Sequence, residues 1–165
     1  MHNGFSNSQI GKRAIVIGAG VSGLTAAQAL ADHFEDVVVL ERDQLPSGAI
    51  PRPGVPQGKQ AHGLLGGSIK ALEDLFPGFA RDLVQAGAVP VNPGFEGLLE
   101  YPGLDPFPRR EWDWLAYSLT RPLLELTIRR RVKQQGNITL RGGCRQIWLA
   151  RGGLDLVRGS GTAEE

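Results

Sequence analysis

One cysteine, three histidines and one methionine make up the whole supply of sulfur and imidazole ligands in this chain of 165 residues. A single thiol, Cys144, excludes an intrachain disulfide, and a reducing cytoplasm is the simple setting for such a chain. His2, His33 and His62 are scattered, so no cluster has metal-ligand spacing and no metal site is expected. Charge of one sign is also scarce, the formal net charge being +1. It is unevenly spread: from Arg109 onward eleven basic and six acidic residues give +5, which leaves −4 for the part before. Much of the excess comes from Arg129 to Lys133, "RRRVK". On a helix this reads as a solvated face, and no interleaved aromatics are there to stack bases, so no nucleic-acid partner is expected.

Long apolar runs are missing too. The nearest follows Lys12 and Arg13, and with Ala29-Leu30-Ala31 in the place of a cleavage site it mimics a secretory leader. It is shorter than the roughly 20 apolar residues of a membrane span. It also holds three glycines together with Ser22, Thr25 and Gln28, and the glycines have a better explanation.

What is abundant is glycine, 23 residues of it, and the first of these to form a pattern are Gly18, Gly20 and Gly23 in the spacing G-x-G-x-x-G. Before them "AIVI", Ala14 to Ile17, reads as a strand buried on both faces, as in the centre of a parallel sheet. After them Val21, Leu24, Ala27 and Leu30 recur at helical intervals. Val37 to Leu40 then return to strand. Strand, glycine turn, helix and strand make one βαβ unit. Gly18 permits the sharp turn, Gly20 lets a pyrophosphate approach the backbone, and Gly23 lets the helix sit close to the strand. The helix N-terminus turns free N–H groups and positive dipole toward the phosphates. Glu41 ends the second strand eighteen residues after Gly23. A carboxylate there accepts hydrogen bonds from both ribose hydroxyls of an adenosine and repels a 2′-phosphate. The glycine spacing alone is a weak signal; with strand, helix and terminal acid in place it predicts an adenine dinucleotide site.

The βαβ unit does not separate NAD from FAD. The segments "GAGVSGLTAAQALADHFEDVVVLERD", "PRPGVPQGKQAHGLL" and "LTRPLLELTIRRRV" together resemble the N-terminal part of FAD-dependent monooxygenases and related oxidoreductases. These are the flavin hydroxylase-like enzymes, which include squalene-epoxidase-like proteins and flavin halogenases. The resemblance runs from about Arg13 to Cys144, and the G-V-P-Q-x-x-x-x-H segment is its more selective part. It implies an FAD-dependent oxidoreductase, a monooxygenase (hydroxylase or epoxidase) using NAD(P)H and O₂. The matched positions imply roles as well. Gly18, Gly20 and Gly23 contact the FAD pyrophosphate, with backbone N–H groups from Val21 and Ser22. Glu41 binds the adenosine ribose and Arg42 lies beside the adenine. Arg121 approaches the flavin side, and Gln57 and His62 belong to a segment near the flavin. Read from chemistry alone, Arg121 is either a forked donor to phosphate or flavin oxygens or a surface arginine. His62 is a structural imidazole or a cofactor contact, and Gln57 equally suits a bond to a loop backbone. No side chain is read as a catalytic acid or base, because the flavin carries that reaction.

The rest of the chain is read for organisation. Gln44 to Gly63 is irregular, with Arg52, between Pro51 and Pro53, on the loop surface. Ser68 to Phe76 forms a helix with Ile69, Leu72 and Phe76 on one face and a Lys70–Asp74 pair, and a second helix from Phe79 to Gln85 stops at Gly87. Trp112 and Trp114 alternate around Asp113 as in a strand, packed in the core in preference to forming a flavin wall. Thr120 caps a helix from Arg121 to Gln135, with Pro122 in its first turn. "NITLRGGC" is the third parallel strand, with Cys144 a small buried hydrophobe. A hairpin turns at Gly152-Gly153 with Ile147, Leu149, Leu154 and Leu156 alternating. The expected architecture is α/β: a Rossmann-like FAD/NAD(P)-binding βαβ fold in three layers. It spans 13–158, between a flexible tail at 1–12 and a disordered one at 159–165. The resemblance ends near the hairpin, short of the family's later strand, its "GD" segment and its substrate sheet, so the domain is expected to be incomplete. That leaves an alternative of another kind, a truncated or split dinucleotide-binding module without catalysis of its own. It also implies a sheet edge open to self-association or a complementing chain.

Overall fold

The computed structural model describes residues 9–97 and 102–144, with two further strands, Gln146–Ala150 and Gly153–Val157. Residues 1–8 of the tail expected at 1–12, the whole tail expected at 159–165, and Gly152 of the hairpin turn lie outside the described residues, while a strand already begins at Gly11.

The first strand, β1 (Gly11–Ile17), runs into helix α1 (Val21–Ala31), and the chain returns through β2 (Phe34–Leu40). The pairing is parallel, Ile17 lying beside Leu40. Far along the chain β6 (Ile138–Arg141) joins the other side of β2, again parallel, giving the order β1-β2-β6. Here the structure corrects the sequence reading. β2 is the central strand among those described, and its Val37 to Leu40 are buried without a break. Along β1 the residues alternate: Ala14 and Val16 face the core, while Ile15 and Ile17 lie on the opposite face and are exposed. The β-branched run in β1 is buried on one face only, and a run of four residues does not reveal whether both faces of its strand are covered.

α1 lays Leu24, Ala27 and Ala31 on the sheet, at the three- and four-residue spacing of a helical face. Its small residues allow close packing on β1 and β2, and α4 (Arg121–Val132) packs on α1. Outside these lie α2 (Gly66–Leu75) and α3 (Phe79–Ala86). Leu72, Phe76, Phe79 and Leu83 from this pair enter the same core as Val37, Val39, Leu124 and Ile128. α2 carries the expected Lys70–Asp74 pair, and Gly87, in left-handed conformation at φ +110°, stops α3.

Gln44 to Gly63 is less irregular than expected. It contains a 3₁₀ turn, Pro56–Lys59, and a strand β3 (Ala61–Leu64). β3 and β4 (Val89–Val91) flank β5 (Ala116–Thr120) in a second, antiparallel sheet. β3 escapes the sequence reading because four residues, "AHGL", give no alternation to count. Beyond β6 the strands β7 (Gln146–Ala150) and β8 (Gly153–Val157) form the expected hairpin, Ile147 opposite Leu156 and Leu149 opposite Leu154.

The arginine run is the other correction. Arg129 is buried, with its guanidinium donating to the Pro46 carbonyl at 2.5 Å. Burial lowers its pKa and the neighbouring Arg52 adds to the effect. Arg131 pairs with Asp82 of α3 at 2.9 Å and donates to the Pro77 carbonyl. α4 is covered on most of its circumference, so a run that looks solvated in sequence is partly structural.

Candidate dinucleotide site

Where β1 ends, Gly18 takes φ +95°, a conformation open to glycine and strained for other residues. Its N–H bonds to the Leu40 carbonyl at 2.7 Å, so the turn is fastened to the end of β2. Gly20 then caps α1 in extended conformation, and among the described residues no side chain caps that helix end. The first-turn N–H groups, including those of Val21 and Ser22, therefore lack intrahelical partners. A Cβ built on Gly20 meets no described atom within 4 Å, whereas one built on Gly23 falls 1.9 Å from the Gly18 carbonyl oxygen. The two glycines thus have different functions. Gly23 is required by the fold, where the helix crosses the turn; at Gly20 nothing among the described residues requires glycine.

Residues Ile17, Gly18, Gly20, Leu40, Glu41, Arg42, Arg52, Gly54, Val55 and Cys144 surround one cavity of about 410 Å³, a size typical of small-ligand sites. Glu41 follows β2 directly, and its carboxylate is buried beneath the turn. The Oε2 atom accepts from the Ala19 N–H at 2.7 Å and lies 3.2 Å from the Arg52 Nη1. The Oε1 atom accepts from the Asp43 N–H at 3.0 Å. Burial pushes this carboxyl up, but the N–H groups of Asp43 and Ala19 and the Arg52 guanidinium outweigh it and hold the pKa below its ordinary value. Arg42 is exposed, its guanidinium beside Gly54. Cys144 is half-buried in the cavity wall instead of packed in the core, because its N–H is tied to the Glu41 carbonyl at 2.9 Å.

Arg52 is the residue that sequence reasoning misplaced. It is buried, not on the loop surface. Besides Glu41, its guanidinium reaches Asp43 at 3.3 Å, the Ala19 carbonyl at 3.3 Å and Glu125 of α4 at 3.0 Å. Burial opposes its charge, yet Glu125 and then Glu41 raise its pKa above the ordinary arginine value. Its signal in the sequence, P-R-P, looks like a solvated turn. The partner that fixes it lies 73 residues away.

His62, Gln57 and Arg121 stand apart from the cavity. β3 and β5 set Ala61 against Thr120 and His62 against Leu119, which brings His62 to the start of α4. Thr120 caps that helix through its side-chain oxygen, which accepts from the Leu123 N–H at 3.3 Å. Arg121 Nη1 lies 3.3 Å from His62 Nε2, and since arginine has no acceptor, the imidazole nitrogen accepts. Arg121 Nε bonds to Glu125 Oε1 at 3.0 Å. Glu125 thereby joins Arg121 to Arg52, and through it to Glu41. Gln57 is exposed in the 3₁₀ turn, where its carbonyl accepts from the Gln60 N–H. Trp112 and Trp114 are not in a strand and not in the core. Their rings stack tilted at 5.2 Å on the wall of a separate open cleft of about 920 Å³ with Leu65, Ile69 and Leu115.

This parallel βαβ arrangement, with its glycine turn at a helix N-terminus and an acid closing the second strand, defines a Rossmann-like dinucleotide-binding domain. Residues 16–76 match the NAD(P)-binding Rossmann-like domain family. Protein Rv3254 of Mycobacterium tuberculosis is 37% identical over 133 residues, which cover 77% of this chain and 27% of that protein. Among solved structures, p-nitrophenol 4-monooxygenase PnpA from Pseudomonas putida DLL-E4 aligns with a TM-score of 0.59 and 20% identity, over 87% of this chain and 35% of that one. A structure of 2-methyl-3-hydroxypyridine-5-carboxylic acid oxygenase aligns with a TM-score of 0.54 and 25% identity, over 78% of this chain and 31% of that one. The chain thus spans about a quarter to a third of the length of these relatives. No helix of the described residues is long and apolar enough to cross a membrane.

Proposed function

We propose that this chain is the N-terminal, FAD-binding portion of a flavin-dependent oxidoreductase, a monooxygenase that hydroxylates or epoxidises its substrate with NAD(P)H and O₂. The observation that carries the binding is the uncapped N-terminus of α1 beside the open space at Gly20, over the cavity closed by Glu41. These residues fit an adenine dinucleotide. Gly18, Gly20 and the N–H groups of Val21 and Ser22 take the pyrophosphate. Glu41 takes the ribose: two donors already fill Oε2 and one is on Oε1, so a lone pair of Oε1 remains for a hydroxyl. Arg42, exposed at the cavity mouth, covers the adenine. The flavin, when bound, supplies the redox and oxygen-transfer chemistry, and the protein contributes binding, orientation and electrostatics. Arg121, with His62 behind it, is the cation facing the flavin side, and Gln57 borders that segment. None of these groups is assigned proton transfer. The oxygenase and monooxygenase among the structural neighbours support the reaction class, and the lone, half-buried Cys144 suits a reducing cytoplasm.

A second reading, a dinucleotide-holding module that acts with a complementing chain, is supported by Ile15 and Ile17, which β1 exposes on the sheet face opposite Ala14 and Val16. Steady-state oxidation of NAD(P)H by the FAD-loaded chain separates the two. A rate above that of free FAD supports an autonomous enzyme, and the buffer rate supports the module.

A further inference from the structure

Four charged side chains form an unbroken line through the interior, and the dinucleotide reading uses only its two ends. Glu41 stands at one end, under the glycine turn. Arg121, with His62 on it, stands at the other. Between them lie Arg52 and Glu125, whose side chains are both 4% exposed, held at 3.0 Å. Three distant segments meet in this line: the end of β2, the proline-flanked loop and the first turns of α4. A buried pair of this kind is weak as a source of stability, because taking both charges out of water offsets most of their attraction. Its geometric effect is strong. Arg52 has a planar fork with fixed directions, and its terminal nitrogens are shared among Glu41, Asp43, the Ala19 carbonyl and Glu125. The Asp43 carboxylate is itself pinned by the Gly54 N–H at 2.8 Å, so the loop that delivers Arg52 closes on the same cluster.

We propose that Arg52 is a positioning residue for nucleotide recognition: it fixes the Glu41 carboxylate in the orientation that reads the ribose, and through Glu125 it sets that orientation relative to Arg121. The proposal rests on the assignment of the cavity to an adenine nucleotide. With Arg52 engaging Oε2, the free lone pair of Glu41 is left on Oε1. Without that fork the carboxylate keeps two backbone donors but loses the contact that distinguishes its oxygens, and Glu125 loses the partner that balances Arg121.

The probes are ADP and 2′-deoxy-ADP, which differ by one ribose hydroxyl, titrated calorimetrically into the full chain. The wild-type protein is expected to favour ADP by roughly ten- to hundredfold, the range for one hydrogen bond to a charged group. Arg52→Lys keeps a cation but not the fork. It is expected to reduce this preference to about threefold or less, with a smaller change in affinity for 2′-deoxy-ADP. A purely structural role would lower the melting temperature and weaken both ligands equally. Glu125→Gln, which lies outside the cavity and removes the charge that holds the other arm of the Arg52 fork, is the second variant should Arg52→Lys fail to fold. It too is expected to reduce the preference. Folded variants that keep the wild-type preference overturn the positioning role while leaving the dinucleotide reading intact. A wild-type protein that binds both nucleotides equally overturns the ribose role of Glu41 and this proposal together. One that is folded and binds neither overturns the cavity's assignment.

Discussion

Gly20 and Gly23 belong to one motif, yet the structure predicts that they respond to substitution in different ways. At Gly20 the backbone is extended, φ −76° and ψ −178°, which any residue adopts. An added Cβ meets no described atom within 4 Å. Gly20→Val therefore leaves the fold standing, at a cost of about 1 kcal/mol or less for a β-branched residue at a helix cap. For a chain of this length that is a fall of roughly 2–4 °C in melting temperature. The isopropyl group projects where a pyrophosphate would lie against the helix N-terminus, so FAD affinity should drop by at least about a hundredfold, the loss expected when a bulky group displaces the ligand from several N–H donors. Gly23→Ala reverses the pattern. Its Cβ would fall 1.9 Å from the Gly18 oxygen, which belongs to the backbone of the turn and has little room to move. A clash this close with backbone puts the cost at the upper end of the overpacking range, about 3 kcal/mol or more, with a melting-temperature loss of at least roughly 6 °C. Thermal melts followed by circular dichroism and FAD titration by flavin fluorescence measure both effects on the same samples. A Gly20→Val protein that binds FAD as the wild type does would refute the placement of the pyrophosphate. Equal melting temperatures for the two variants would refute the division of labour.

Other substitutions test the polar interior. Arg52→Met strips the buried Glu41 and Glu125 of their shared partner and should destabilise the fold by about 3–5 kcal/mol, read as a lower urea midpoint; a change under about 1 kcal/mol would show that water replaces the guanidinium. Because Glu41 is held below its ordinary value of 4.5, the unfolded chain binds the proton first, and the stability this carboxylate contributes is present above about pH 4.5 and lost as pH falls through its folded value. Glu41→Gln should accordingly flatten the fall of stability on acidification below that pH, seen in urea melts from pH 6 downward by steps of about half a unit, and an unchanged slope would contradict it. Thr120→Ala removes the oxygen that accepts from Leu123 N–H and should cost about 1 kcal/mol, with no effect on the Gly20 cavity; a loss of FAD binding out of proportion to stability would show that the cap also orients Arg121.

The readable parts of this molecule are those whose chemistry is local. The glycine turn, the helix that follows it and the acid at the end of β2 lie within two dozen residues, and each has a residue type that its geometry demands. Thr120 and Pro122 announce the start of α4 for the same reason, and Gly87 announces the end of α3. What the sequence hides depends on distant partners. Arg52 looks like loop surface until β2 and α4 supply Glu41 and Glu125. Arg129 looks solvated until Pro46 arrives from a loop 83 positions earlier. Ile15 and Ile17 look buried because their exposure depends on what packs on that face of the sheet, which no local run of residues records. Trp112 and Trp114, read as core from their alternation around Asp113, instead line an open cleft, since no strand forms there to turn them inward.

Under the proposed function, the cavity beneath the glycine turn holds the ADP end of FAD. Calorimetric titration of the folded protein with FAD, with NADH as the comparison ligand, tests it most directly. FAD is expected to bind with micromolar affinity, more tightly than NADH, and not at all to Gly20→Val. A folded chain that takes up neither ligand, or that binds NADH more tightly than FAD, would contradict it.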